Sequence, residues 1–377
     1  MEVCRIMKTV CDIDKCAGCM ACVDICPKGA ISILDSLKSY NAVIDTDKCV
    51  GCNMCHKVCQ KNQNGSFLKP ILWKQGWASD ETIRKYSSSG GAATVLAKQF
   101  VKDGGIVCSC VFNNGCFVFD FAETVEQVNK FSGSRYIKSD PTGAYKKAKQ
   151  ILRSNKKLLF IGLPCQVSSM KNYTGNPDNL YTIDLICHGT PSPKILDIYL
   201  KQSDIDIKSM NNLYFRNGMQ YHLTDRKDDG FHAVFDKNVI DAYLMSFLNT
   251  LCCTENCYSC QYAKLERISD ITLGDSWGSD LDSKEQKKGI SLILCQTKKG
   301  VDLLHQCDMK LFDVDLEQAV SHNHQLSDPS LKPVQRERFF EQFEHGYKFD
   351  KIVKRIYPKQ SFKQVIKKIM LKLKLLK

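Results

Sequence analysis

The chain has 377 residues, 43% of them hydrophobic, enough for two or three domains whose cores need no covalent staples. Its 21 cysteines therefore do not read as the disulfide framework of a small secreted protein; the expected setting is a reducing cytoplasm with thiolates free to bind metal. The net charge of +12 is concentrated in residues 351–377, which hold ten Lys or Arg and no acid, so about +2 is left for the rest and no nucleic-acid partner is expected.

Residues 1–11 contain no apolar signal region, and no apolar run approaches the length of a membrane span. An internal repeat follows. Asp14, Lys15, Cys16, Gly18, Cys19, Cys22 and Cys26 recur 33 residues later as Asp47, Lys48, Cys49, Gly51, Cys52, Cys55 and Cys59. Two copies make a pseudo-symmetric domain rather than a solenoid. Cys16-x2-Cys19-x2-Cys22-x3-Cys26-Pro27 has the spacing of bacterial ferredoxins, in which three thiolates wrap one [4Fe–4S] cluster and the fourth reaches the other. Cys16, Cys19, Cys22 and Cys59 are thus assigned to a first cluster, and Cys49, Cys52, Cys55 and Cys26 to a second. Gly18 and Gly51 permit a tight loop with N–H groups aimed at sulfur. Zinc sites would show paired Cys-x2-Cys knuckles instead of two triplets with trailing cysteines. One departure is Gln60, where a proline is expected after the second run.

The repeat ends near a polar stretch at 61–66. Residues 1–66 are read as a dicluster ferredoxin domain, 67–79 as a linker, 80–350 as the body and 351–377 as a basic tail. In the body, apolar runs at 106–112, 158–163, 181–186, 268–273 and 290–295 predict buried strands, and 92–101 and 144–152 predict helices. The expected fold is an α+β ferredoxin-like N-terminal domain followed by an α/β domain with a mostly parallel or mixed sheet. Residues 305–350 give no clear pattern.

Several body segments carry candidate chemistry. Ser88, Ser89, Gly90 and Gly91 precede a helix; they read either as a phosphate-binding loop or as an ordinary cap. Arg135 and Tyr136 add a cation and an aromatic. Cys165 and Cys187 follow predicted strands, where ligands of α/β sheets gather, and Cys257-x2-Cys260 lies in a polar loop. These four read either as ligands of a third cluster or as small buried hydrophobes, the reading that suits Cys108, Cys110, Cys116, Cys295 and Cys307. Cys253-x3-Cys257-x2-Cys260 matches the radical S-adenosylmethionine triplet, but too little chain follows it for the partial barrel, and Tyr258 is misplaced for that motif. The tail sets Phe362, Val365, Ile366, Ile369, Leu373 and Leu376 on one helical stripe with lysines elsewhere. It reads either as an interfacial helix for anionic lipid or a partner, or as a terminal helix packed on the body.

Ser88-Ser89-Gly90-Gly91, Gly133-Ser134-Arg135-Tyr136, Gly162-Leu163-Pro164-Cys165-Gln166, Cys187-His188-Gly189, Cys257-Tyr258-Ser259-Cys260 and Ser269-Asp270-Ile271-Thr272-Leu273-Gly274-Asp275-Ser276-Trp277-Gly278 occur in that order. Together, over about residues 77–316, they resemble the beta subunit of coenzyme F420 (deazaflavin) hydrogenases and dehydrogenases, with a ferredoxin domain fused ahead. The resemblance implies an FAD-containing iron–sulfur oxidoreductase exchanging hydride with a deazaflavin and passing single electrons to clusters. It implies a third [4Fe–4S] cluster on Cys165, Cys187, Cys257 and Cys260, and flavin contacts from Ser88–Gly91, Arg135 and Tyr136. His188 reads as a hydrogen-bond donor to cluster or flavin, or as a structural histidine. Asp275 reads as a partner of a ribityl or substrate hydroxyl, or as a turn cap. The Cys187–Ser192 segment is closer to a bacterial branch, which implies a substrate linked to surface polysaccharide synthesis. A redox carrier or partner enzyme is expected, with a non-catalytic electron-transfer subunit as the alternative. The expected location is cytoplasmic, with peripheral contact at the inner face of the membrane through the tail.

Overall fold

The computed structural model describes residues 7–63 and 65–375; Leu376 of the tail stripe lies outside them. The 33-residue repeat folds into two matching halves. Gly18 and Gly51 share φ of +69°, Met20 and Asn53 have φ of +61° and +62°, and short helices follow each, Ala21–Ile25 and Met54–Val58. Between them β1 (Ile31–Asp35) and β2 (Tyr40–Ile44) pair antiparallel, with Ile31 opposite Ile44. This unit shares a core with the body, where Val10, Ile31, Tyr40 and Val58 join Tyr145, Phe160, Met170 and Tyr262. Tyr145 Oη donates to Cys19 O at 2.6 Å, and Ser192 Oγ donates to Asp35 Oδ2 at 2.6 Å.

The linker expected at 67–79 is instead part of the body: β3 (Leu72–Ala78) is an internal strand of an eight-stranded sheet. Its polar centre hid it. Gln75 is fully buried, yet its amide is satisfied by Asp280 Oδ1 and Asp313 O at 2.9 Å each and by Ser276 Oγ at 2.9 Å. The sheet continues with β4 (Ile106–Asn113) and β5 (Cys116–Ala122), a hairpin turning at Asn114-Gly115, then β6 (Leu158–Gly162) and β7 (Leu180–Leu185). A separate three-stranded antiparallel sheet, β8 (Leu213–Asn217), β9 (Gln220–Lys227) and β10 (Gly230–Ala233), interrupts the sequence. The large sheet is completed by β11 (Ile271–Asp275), β12 (Ser291–Cys295) and β13 (Met309–Phe312), in the order β13-β3-β12-β11-β7-β6-β4-β5. Strands β11, β7, β6 and β4 run parallel, and the flanking pairs are antiparallel, so the sheet is mixed.

The expected helices form as Ala92–Lys102 and Ala144–Arg153. The strand expected at 268–273 starts later, because the Asp270 carboxylate is taken by Thr182 N and Oγ1 and by Thr297 Oγ1, each at 2.8 Å. The tail boundary also moves. Helix Phe349–Ile356 belongs to the body, with Phe349, Ile352 and Val353 fully buried beside Phe339 and Tyr243. Helix Pro358–Lys372 then docks by its polar face: Gln360 pairs with Asn249, Gln364 Oε1 accepts from Ile240 N at 3.0 Å, and Lys368 meets Asp236 at 2.6 Å. The packed-stripe reading of the tail is therefore corrected, since Phe362, Val365, Ile366, Ile369 and Leu373 are 41–65% exposed.

Candidate functional site

The described residues enclose three cysteine-lined cavities and one large cavity. Cys16, Cys19, Cys22 and Cys59 wall the first, together with Cys11, Ala17 and Gln60. Cys26, Cys49, Cys52 and Cys55 wall the second. The trailing cysteine of each run thus stands with the triplet of the other, as helices Ala21–Ile25 and Met54–Val58 pack against each other. Gly18 N donates to Cys16 Sγ at 3.4 Å and Ala30 N to Cys26 Sγ at 3.3 Å. Burial pushes Cys19 up to about 12 and Cys22 higher still. Thiols so buried stay protonated on their own and lose the proton when a metal takes its place. Among the described residues no three His, Cys, Asp or Glu side chains converge tightly enough for a single metal ion. Each of the two cavities is lined by four cysteines of the repeat, an all-sulfur set suited to an iron–sulfur cluster. Cys11 is the residue that spacing missed. It lines the first cavity beside Cys16 and Cys59, and their proximity raises Cys11 and lowers the other two.

The body brings Cys165, Cys187, Cys257 and Cys260 to a third cavity. Cys165 opens helix Pro164–Thr174 after β6, Cys187 follows β7, Cys257 lies in the turn Glu255–Ser259 and Cys260 directly follows it. Burial pushes Cys187 up to about 12 and also raises Cys165. Cys253 stays behind Gly189, where an added Cβ would come within 2.7 Å of its sulfur, so the Cys253–Cys257–Cys260 triplet does not line one cavity. The cysteine loop is held by Arg267, which pairs with the buried Asp184 of β7 at 3.1 Å and donates to Tyr262 O at 2.6 Å. Lys138 also reaches this wall and donates to Ala17 O at 2.9 Å and Thr190 Oγ1 at 3.1 Å.

The large cavity, about 340 Å³, opens where β6, β7 and β11 end, the carboxyl edge of the parallel strands. Ser88, Ser89 and Gly91 border it at the start of helix Ala92–Lys102, and Arg135, Tyr136, His188 and Asp275 are on its wall. Gly90 is the exception and a correction. It packs on β3, where an added Cβ would lie 2.3 Å from Gly76 O, so its role is to let the loop approach the sheet. Ser88 Oγ accepts from Ser134 N at 2.8 Å, joining the two loops. Arg135 stacks on Tyr214 and donates one bond, to Asn212 Oδ1 at 3.3 Å; its Nε and Nη1 are buried and unmatched. Tyr136 stacks on Phe247 at 4.6 Å. His188 Nδ1 faces Gln325 at 3.2 Å while its Nε2 has no partner, and burial lowers its pKa. Asp275 is neither a free base nor a turn cap: Arg216 grips it with two bonds, at 2.6 and 3.0 Å. Arg216 and Tyr221 come from the small sheet and carried no local signal in the sequence.

Two ferredoxin-type cysteine sets, beside a ligand-sized cavity in an α/β body, define an iron–sulfur electron-transfer protein of the oxidoreductase class. The comparisons give the family. The description "4Fe-4S dicluster domain" matches residues 15–63. "Coenzyme F420 hydrogenase/dehydrogenase, beta subunit N-term" matches 74–144, and the description of the C-terminal part of that same beta subunit matches 155–315, together more than half of the chain. The chain belongs to the coenzyme F420 hydrogenase/dehydrogenase beta-subunit family, with a 4Fe–4S dicluster domain ahead of it. No curated protein matches it. Among solved structures, a chain of the F420-reducing [NiFe] hydrogenase complex from Methanosarcina barkeri is 18% identical, with a TM-score of 0.49, over 74% of this chain and 94% of its own.

Proposed function

We propose that this protein is an iron–sulfur flavoprotein oxidoreductase that passes electrons between ferredoxin-type clusters and FAD, with a deazaflavin-like hydride partner at the flavin. The observation that carries the reading is the sharing of walls. Leu163, Cys187, His188, Gly189 and Thr190 border both the large cavity and the third cysteine cavity, and Ala17 and Gln60 border both the third and the first. Flavin supplies two-electron hydride chemistry and clusters supply one-electron transfer. In this reading Cys16, Cys19, Cys22 and Cys59, then Cys26, Cys49, Cys52 and Cys55, then Cys165, Cys187, Cys257 and Cys260 are three ligand sets.

The large cavity fits a dinucleotide flavin in its chemistry. Arg135 offers two unmatched N–H groups to a phosphate, and the Ser87–Gly91 loop at a helix start favours the same charge. Its volume is within the roughly 300–1,000 Å³ of small-molecule sites. His188, on the wall common to both sites, has an unpartnered Nε2. The Arg216–Asp275 pair, with Tyr221 and Trp277, fixes the charge at the β11 end, where a planar hydride partner would stack. The family is one of subunits, and a redox partner is served by the exposed Cys52, beside exposed Val50 and Met54. The outward apolar stripe and lysines of Pro358–Lys372 suit contact with an anionic membrane surface. In the test, oxygen-free protein is mixed with a reduced deazaflavin. Bleaching of bound flavin followed by cluster reduction is expected. A flavin-free protein reduced only through an external carrier would mark a non-catalytic electron-transfer subunit instead.

A further inference from the structure

Lys138 is 5% exposed, yet both of its hydrogen-bond acceptors are neutral oxygens, and among the described residues it makes no ion pair. A buried ammonium in that state is costly unless negative charge lies close by. Its surroundings identify that charge. Ala17, which accepts at 2.9 Å, is the residue after Cys16 in the first cysteine loop. Thr190, which accepts at 3.1 Å, is three residues after Cys187, and its Oγ1 lies 3.9 Å from Cys257 Sγ. The backbone N of Lys138 donates to Pro191 O at 3.0 Å, and the ammonium lies 5.3 Å from the Tyr40 ring centroid. Lys138 therefore touches the loops of two cysteine sets, one from each half of the molecule. Its field reaches Cys16 on one side and Cys165 and Cys187 on the other.

We infer that Lys138 is a positioning residue for electron transfer: its ammonium, enclosed between the Cys16–Cys19 loop and the Cys187–Thr190 loop, stabilises an added electron on either side of that junction. This inference rests on the third ligand set proposed above. Each transfer moves one electron, so one side is oxidised and the other reduced, with no bond made or broken. Four thiolates around an iron–sulfur core leave a net negative charge that grows on reduction, and a fixed cation at short range in a low dielectric favours the reduced form. Because one cation serves both sides, it raises both affinities together and keeps the step between them nearly level. Lys15, at the rim of the same cavity, is solvent-facing where it meets Ser259 Oγ, so water screens its charge.

The test uses the full chain reconstituted without oxygen, comparing wild type with Lys138→Met, Lys138→Gln, Lys138→Arg and Lys15→Gln. Iron is counted first, and the potentials are then read by titration followed by electron paramagnetic resonance. A wild-type count of about eight irons, rather than about twelve, overturns the third ligand set itself. With about twelve present, Lys138→Met and Lys138→Gln should lower two of three potentials. The Cys26 set should stay fixed, Lys138→Arg should restore wild-type values, and Lys15→Gln should shift little. Unmoved potentials in both neutral variants, a uniform shift of all three, or loss of clusters with the remainder at wild-type potential would each overturn the electrostatic role and leave Lys138 a structural tie.

Discussion

A guanidinium enclosed in protein with two N–H groups unmatched, as Arg135 is, becomes favourable when an anion completes it. Arg135→Met should therefore weaken flavin retention by roughly ten- to hundredfold, the equivalent of about 1.5–3 kcal/mol for a charged hydrogen bond. Fluorescence of flavin released on dialysis reads this directly, and retention equal to wild type would remove Arg135 from the site. Asp241 gives a pH prediction away from the redox centres. Burial raises it to about 6 from its ordinary 3.8, so between these values the folded chain holds a proton that the unfolded chain has lost. Its contribution to stability is fully present below about pH 4 and is lost as pH rises through about 6. Asp241→Asn keeps a capping side chain at the start of helix Ala242–Leu248 and removes the slope. The thermal midpoint of the variant should gain on wild type between these limits, and parallel profiles would contradict the assignment. At this scale the cysteines were legible because ligand spacing is local in the chain. Arg216, Lys138 and Cys11 were not, since each acquires meaning only from partners brought in by folding: Asp275, the Ala17 and Thr190 loops, and Cys59.

Elements position the third cysteine set through one buried pair. Asp184 lies inside β7, and Arg267 precedes β11; their contact ties the strand that leads to Cys187 to the loop that carries Cys257 and Cys260. Arg267 also donates to Leu185 O at 3.0 Å, so the tie crosses the parallel pair just below the cavity. Asp184→Ala leaves a guanidinium buried and unpaired, and the cost should be about 3–5 kcal/mol. A lowered thermal midpoint with loss of about four irons is expected; an unchanged midpoint would show that the pair bears no load. The parallel core strands could be read from sequence because they are continuous apolar runs buried on both faces. Strand β3 could not, since Gln75 breaks its run and is satisfied only by residues about 200 or more positions away. The small sheet β8–β10 was missed for a similar reason: its buried positions include Arg216, His222, Thr224 and Asp225, which read as surface residues.

At the scale of the whole molecule, two surfaces are set apart from the cavities. One is the edge at Cys52; the other is the terminal helix, whose polar side faces the body and whose apolar side faces out. Periodicity showed that the stripe existed but could not show which way it faced, because the polar contacts that orient the helix come from Asp236, Ile240 and Asn249. Vesicles rich in phosphatidylglycerol should bind the full chain in low salt, with each lysine at the surface worth about 1 kcal/mol. Removing residues 358–377, or combining Ile366→Glu with Ile369→Glu, should abolish binding while leaving iron content unchanged. Equal binding to neutral phosphatidylcholine, or none to either vesicle, would contradict a lipid-facing role. None of this alters the central proposal, that three cysteine sets serve a flavin site. That claim is tested most directly by counting iron, sulfide and flavin in full-length protein purified without oxygen. The account predicts about twelve irons, about twelve sulfides and one FAD per chain; about eight irons with no flavin would contradict it.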